Sequence, residues 1–228
     1  MRIRWFGQSA FLLSGAVRVA IDPFAPMTEA MRERGFRFDY PPIENVEAEL
    51  VLITHEHFDH NAVEAIAGDP QVIRSTAGTF DSALGQVVAV ASEHDEVAGT
   101  KRGPNTIFVF ALDGLRVCHL GDFGQPALRP EQREAIGEID LLLLPVGGGS
   151  TVGGAPAAAI VRELEPRLVV PMHYRTESAD FLEPPDEFLA ACEGADVHRF
   201  GSPEFEADEL LGSPERPTVA LPAAPRQA

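Results

Sequence analysis

Thr54-His55-Glu56-His57-Phe58-Asp59-His60-Asn61 follows directly on the apolar run Leu50-Val51-Leu52-Ile53. The run is short, partly β-branched and preceded by acidic residues, so it reads as a buried strand emptying into a loop. That loop sets three histidines and an aspartate within six residues, in a chain with only 7 histidines. Neutral imidazole nitrogens and carboxylate oxygens are the donors that borderline and hard divalent cations accept. A strand end holds such donors rigidly and leaves the loop side of a bound ion open. A lone histidine at a strand end is ordinarily a satisfied surface or core residue, but composition does not explain this density. The His-Glu-x-x-His zinc helix is excluded, because Asp59 stands where its second histidine would be.

The pattern His55-x-His57-x-Asp59-His60 resembles the signature of the metallo-β-lactamase fold superfamily. The resemblance implies one metal on His55 and His57, a second on Asp59 and His60, and further ligands at the ends of later strands. His94 stands just past the apolar run Val87 to Ala91 and is the third ligand expected for the first metal. Asp122 follows Gly121 at the end of a hairpin that the Asp113-Gly114 turn marks clearly. It matches the family's carboxylate bridging both metals. His173 follows the run Leu168-Val169-Val170-Pro171 and fits the second metal's remaining histidine. Asp22, at the end of the run Val17 to Ile21, is similar to a structural aspartate that would accept a hydrogen bond from a ligand histidine and fix its tautomer. Relatives often carry a histidine where this chain has Gln8, so Gln8 is not counted as a ligand. His119 lies inside its strand, facing the other way, and His198 lies mid-strand; both read as structural.

Length and charge bound the rest. A chain of 228 residues suits one large domain. The expected boundaries are a domain over 1–212 and a terminal edge strand with a Pro/Ala-rich tail over 213–228. No apolar run is long enough to span a bilayer and no signal core opens the chain, so a cytoplasmic location is expected. Cys118 and Cys192 are far apart and suggest neither a disulfide framework nor a thiolate site. A net charge of −17 argues against nucleic acid or a membrane as partner and leaves a small molecule. Homo-oligomerisation stays open.

Residues 23–48 carry four prolines and the aromatics Phe36, Phe38 and Tyr40. A loop this long is expected to be functional, here a flap whose rings line a substrate pocket. Asn61 to Ala67 reads as a short helix, and residues 75–86 as room for another. Lys101 and Arg102 stand in a glycine-rich loop of an acidic protein, where they could hold a phosphate or carboxylate or simply face solvent. Gly147-Gly148-Gly149 before the helix Ala155 to Glu165 could receive an anionic oxygen, though packing space is the commoner reason for such a loop. Tyr174 and Arg175 are further candidates to touch substrate.

Thr54 to Asn61, Arg102-Gly103-Pro104-Asn105-Thr106, Leu120-Gly121-Asp122 and Pro171-Met172-His173-Tyr174 are similar to the L-ascorbate-6-phosphate lactonase-like hydrolases of that superfamily. The similarity implies an α+β fold, a four-layer αββα sandwich of two mixed sheets with outer helices. It implies two divalent ions per chain, zinc first, with manganese or iron as alternatives. It further implies a hydroxide, activated between the metals, that cleaves an ester-type bond (lactone or phosphodiester) in a small metabolite, an anionic one included. Asp59 and Asp122 would be the catalytic carboxylates. Two rivals stand beside this reading: an iron-dependent oxidoreductase on the same fold, and a non-catalytic metal-binding protein.

Overall fold

In the computed structural model, which describes residues 1–28, 35 and 37–226, two mixed sheets lie face to face. The first orders its strands Glu204–Glu206, Arg2–Gly7, Ala10–Ser14, Arg18–Ile21, Leu50–Ile53 and Gln71–Arg74. The second runs Asp196–Arg199, Thr218–Leu221, Leu168–Met172, Leu141–Pro145, Leu115–His119, Pro104–Leu112, Gly85–Glu93 and Gly78–Ser82. Their inner faces share one core, in which Trp5, Phe11 and Leu52 meet Phe108, Phe110 and Leu142. Leu50–Ile53, Leu141–Pro145 and Leu168–Met172 are buried at every position, as unbroken apolar runs must be when both faces of a strand are covered.

The helices Pro130–Ile136, Gly154–Leu164 and Asp186–Ala191 cover the second sheet. On the first sheet the outer layer is largely irregular chain. Phe24, Phe38, Tyr40 and Ile43 pack on Phe6, Ala20, Val51 and Ile53 as a second, smaller core. Phe24 meets Phe38 edge-on with centroids 5.0 Å apart, and Phe38 meets Tyr40 at 5.3 Å, a geometry aromatic pairs favour. The segment expected as a flap is therefore a packed covering layer over its described part. Phe36 lies outside the described residues. Among the described residues no helix is long and apolar enough to cross a membrane.

Pairing direction decides where the site forms. Arg18–Ile21, Leu50–Ile53 and Gln71–Arg74 run parallel. So do Leu115–His119, Leu141–Pro145 and Leu168–Met172. Parallel pairing sends the C-terminal ends of neighbouring strands to one edge. Gly85–Glu93 reaches the same edge through two antiparallel pairings, by way of Pro104–Leu112.

Three local expectations need correction. In place of a helix over 61–67 there is one 3-10 turn, Val63–Ala65, and then Ile66–Ala67 pairs in parallel with Val46–Glu47. Burying Ile66 against Val46 outweighs the helical reading of a stretch that Gly68 and Pro70 would have ended anyway. Residues 75–86 form the strand Gly78–Ser82, whose hairpin partner starts at Gly85, where φ is +87°. Finally, Thr218–Leu221 is no edge strand. It lies between Leu168–Met172 and Asp196–Arg199, and its four residues are all buried, so the core continues to Leu221.

Candidate metal centre

Every expected ligand stands just beyond the end of a strand, and the strand ends bring them together. Four imidazoles converge on a single carboxylate oxygen. Asp122 Oδ2 lies 3.1 Å from His94 Nε2, 3.2 Å from His173 Nε2, 3.4 Å from His60 Nε2 and 4.0 Å from His55 Nε2. His57 completes one side, its Nδ1 facing His55 Nε2 at 3.0 Å. Asp59 completes the other, its Oδ2 3.6 Å from His60 Nε2. Donor atoms of His55, His57 and His94 lie within 4.8 Å of one another, as do those of Asp59, His60 and His173. The carboxylate of Asp122 lies between these two groups, and donor atoms of Asp22, His55 and His60 form a third.

Behind them a network of hydrogen bonds assigns the imidazole tautomers. Asp22 is wholly buried. Its Oδ1 accepts from Thr54 N–H (2.8 Å), and its Oδ2 accepts from the Thr54 hydroxyl (2.7 Å) and from His60 Nδ1 (3.1 Å). The Thr54 Oγ1 in turn accepts from His55 Nδ1, 3.0 Å away. His94 Nδ1 donates to the Ser150 carbonyl at 2.9 Å. With Nδ1 of His55, His60 and His94 engaged as donors, each Nε2 keeps its lone pair for the interior of the site. Asp122 is fixed likewise: Ser9 Oγ donates to its Oδ1 (3.0 Å), and its own N–H donates to Asn105 Oδ1 (3.0 Å).

The backbone is bent to fit. His173 and Asp22 both sit at positive φ, +51° and +47°, a conformation that costs a non-glycine residue energy and persists where surroundings impose it. At Gly121, φ is +59° and a Cβ would come within 2.7 Å of Thr54 Cβ. Only glycine allows the two ligand-bearing loops to approach so closely.

Charge and burial describe a cation site. Burial, reinforced by the neighbouring His60, pushes His55 down to about 2, and burial lowers His57 as well. Both stay neutral. His60 moves the other way: burial opposes its charge, but Asp122 and Asp59 raise its pKa well above the usual imidazole value. The carboxylates of Asp59, at about 2, and Asp122, held well below the usual carboxylate range, are ionised despite burial because imidazoles surround them. Without a cation, protons on the imidazoles balance these carboxylates. His60 Nε2, fully buried and beside two carboxylates, has no hydrogen-bond partner. A buried polar atom of that kind is costly, and a divalent ion bound there would satisfy it. The donor set, the orphaned nitrogen and the assigned tautomers all fit metal.

The remaining candidates separate. A cavity of about 260 Å³ opens over the ligands, reaching His57, Asp59, His94, Asp122 and His173, and Arg102 lines it. Phe38 lines it too, whereas Tyr40 turns inward to hydrogen-bond Thr176 at 2.9 Å. Lys101 pairs instead with Glu96 at 3.9 Å. Tyr174 is not at the cavity. It is buried against Trp5, ring centroids 5.3 Å apart, and burial raises its phenol pKa. Arg175 donates to the Leu182 carbonyl and pairs loosely with Glu183, bracing its own loop. Gly147 and Gly154 serve packing, since a side chain on them would overlap the backbone of His173 and of Phe188.

Glu56, inside the histidine motif, is no ligand. It takes two hydrogen bonds from Arg74 and one from Ser75, and the Arg74 guanidinium holds its pKa at about 2. His119 ties the two sheets together: its Nε2 donates to the Ser9 carbonyl and its Nδ1 accepts from Gly121 N–H, both at 3.0 Å. His198 is exposed on the strand Asp196–Arg199, outside the cluster. Sequence reasoning missed Thr54, Ser9, Asn105 and Ser150. Of these, Thr54 and Asn105 lie within quoted motifs.

Comparison with known proteins agrees with this geometry. Residues 2–173 match the family described as "Beta-lactamase superfamily domain". A protein of Thermococcus kodakarensis named as a metal-dependent hydrolase is 32% identical over 216 residues, covering 82% of this chain and 90% of that protein. A crystal structure from Thermotoga maritima, titled as a proposed Zn-dependent hydrolase of the metallo-beta-lactamase superfamily, is similar at 32% identity. Its TM-score is 0.73, over 96% of this chain and 97% of the other. A proposed metal-dependent hydrolase of Parabacteroides distasonis, 18% identical, shares the fold with a TM-score of 0.67 over 97% of this chain and 92% of its own.

Proposed function

The chain belongs to the beta-lactamase superfamily, and from that premise we propose that it is a metal-dependent hydrolase acting through two divalent ions, zinc first, on an ester-type bond in a small metabolite. The bond is a lactone or a phosphodiester. One observation carries the reading: four histidine Nε2 atoms within 4.0 Å of one carboxylate oxygen, with a buried nitrogen among them that has no partner. His55, His57 and His94 would hold one ion, Asp59, His60 and His173 the other, and Asp122 both. Five neutral imidazoles and two carboxylates bring about −2 to a pair of ions that bring +4, a balance that favours hydroxide over water. When bound, such ions supply Lewis acidity and lower the pKa of a coordinated water toward neutrality.

The chain's own groups account for the rest. Asp59 is the ligand carboxylate left partly open to the cavity, its side chain 15% exposed. It accepts a hydrogen bond from the attacking water and orients it. The new bond joins the water oxygen to carbon or phosphorus, the ester bond breaks, and the water's proton ends on the leaving oxygen. Tyr174, buried and away from the cavity, does not donate that proton. The acidic surface supports a small-molecule substrate in the cytoplasm.

Elemental analysis of protein purified without chelator, paired with a panel of lactones and phosphodiesters, tests the proposal. We expect near two zinc or manganese ions per chain and turnover abolished in His57→Ala and Asp59→Asn. One ion or none, with no ester cleaved, would overturn it in favour of a non-catalytic metal-binding protein. Iron with a visible absorption band would point to the oxidoreductase.

A further inference from the structure

Arg102 stands alone in the cavity. Among the described residues it is the one arginine or lysine lining it and takes part in no ion pair. Among the described residues the guanidiniums of Arg18, Arg74 and Arg129 contact carboxylates and those of Arg116, Arg133 and Arg162 donate to backbone carbonyls, whereas that of Arg102, like that of Arg199, does neither. Its neighbour Lys101 is drawn off to Glu96.

The loop that carries Arg102 is built rather than loose. The carboxylate of Asp95, the residue after ligand His94, accepts four backbone N–H groups across the turn. Val97 and Gly99 donate to Oδ1 at 2.9 and 2.8 Å, Lys101 and Arg102 to Oδ2 at 2.9 and 2.8 Å. Asp95 is buried although it carries charge. One residue thus ties the backbone of Arg102 to the backbone of His94, which fixes where the Arg102 side chain starts at the cavity.

Part of the cavity wall is apolar. Met27, Phe38, Phe58 and Phe181 line it, and Phe58 and Phe181 are 43% and 40% exposed. At about 260 Å³ the cavity falls below the range of about 300–1,000 Å³ typical of drug-sized ligands.

We propose that Arg102 is a specificity-determining residue that binds an oxyanion, a carboxylate or phosphate, at the end of the substrate remote from the scissile bond, with a short apolar body between the two lying on the Phe58–Phe181 wall. This assignment of substrate class rests on the hydrolase reading above. A guanidinium fork pairs with such groups through two parallel hydrogen bonds, which fixes orientation as well as attraction. The four aromatic and thioether side chains cover the body and exclude water from it. Carrying no other partner, Arg102 is free to make the pair.

The test compares two chromogenic esters on the metal-replete protein, mono-4-nitrophenyl glutarate, which ends in a carboxylate, and 4-nitrophenyl butyrate, which does not. Wild type is expected to favour the glutarate ester at least 10-fold in kcat/KM. Arg102→Gln removes that preference, the loss falling on KM for the glutarate ester; Arg102→Lys restores part of it. A preference that survives Arg102→Gln, or none in wild type, overturns the proposal. Competition against the butyrate ester separates the oxyanions: inhibition by glutarate, or by inorganic phosphate, that weakens in Arg102→Gln names the preferred terminus, and inhibition weakened in neither case counts against the proposal. If wild type cleaves neither ester, the lactone and phosphodiester panel decides the hydrolase reading separately. Calorimetric titration with the uncleaved glutarate ester then decides: binding lost in Arg102→Gln supports the assignment, and equal or absent binding overturns it.

Discussion

Asp22→Asn changes one atom and should invert two metal ligands. The carboxylate of Asp22 accepts three hydrogen bonds, one at Oδ1 and two at Oδ2. An isosteric amide keeps the acceptor for Thr54 N–H and puts an NH2 group where Oδ2 was. That group must donate. One N–H points at His60 Nδ1, which becomes the acceptor, so the ring proton moves to Nε2. The other points at Thr54 Oγ1, whose hydroxyl is then released to donate to His55 Nδ1, 3.0 Å away. The proton of His55 moves to Nε2 as well. On the proposed assignment His55 and His60 serve different ions, so each ion would meet an N–H where a lone pair is needed. Recovering the lone pair means breaking the new bonds and leaving buried donors facing each other. Outer partners of metal-bound histidines contribute about 10- to 100-fold each in affinity. Two ligands acting independently give about 100- to 10,000-fold, or about 3–5 kcal/mol. Competition with a chromophoric zinc chelator reads the affinity. Long-range proton–nitrogen correlation spectra of the metal-free protein, taken above the raised pKa of His60, read the tautomers. Asp22→Asn with wild-type affinity, or with its protons still on Nδ1 of His55 and His60, would refute the argument.

Three further outcomes follow from the same geometry. Gly121→Ala places a Cβ at positive φ and against Thr54; strain of about 1–2 kcal/mol plus overlap of about 1–3 kcal/mol should lower stability by about 2–5 kcal/mol in denaturant unfolding. For His60, whose pKa is raised in the folded protein, the favourable contribution to metal-free stability is full below the unfolded value near 6.5 and fades as pH rises through the folded value. The metal-free protein should therefore lose melting temperature above neutral pH, and zinc binding should release protons, measured by calorimetry in buffers of different ionisation enthalpy. Asp95, its pKa lowered to about 2 by backbone N–H groups that outweigh burial, stabilises its turn above the unfolded value near 3.8 and ceases to as pH falls through about 2. Asp95→Asn should melt below wild type at pH 5, and the gap should close toward pH 2.

What the sequence disclosed, and what it hid, divides along chain distance. The ligands were legible because each follows an apolar run, and a strand end is a local fact: Leu50 to Ile53 announces His55, and Leu168 to Pro171 announces His173. The tautomer network was legible only at Asp22, for which the family resemblance supplied the role. Ser9 meets Asp122 across 113 residues and His119 meets the Ser9 carbonyl across 110; nothing near any of them in the chain signals the pairing. Tyr174 and Arg175 were misread for the opposite reason, since standing beside a ligand says nothing of which way a side chain turns. Tyr174 follows His173, whose positive φ bends the chain, and it packs on Trp5 in the core. The two cations of the 99–105 loop show the limit most clearly. Lys101 and Arg102 are neighbours of like charge and were indistinguishable in sequence. Both backbone N–H groups bond the same oxygen of Asp95, yet one side chain reaches Glu96 and the other the cavity. A turn closed by one carboxylate thus converts two equivalent charges into one spent on the surface and one available to substrate.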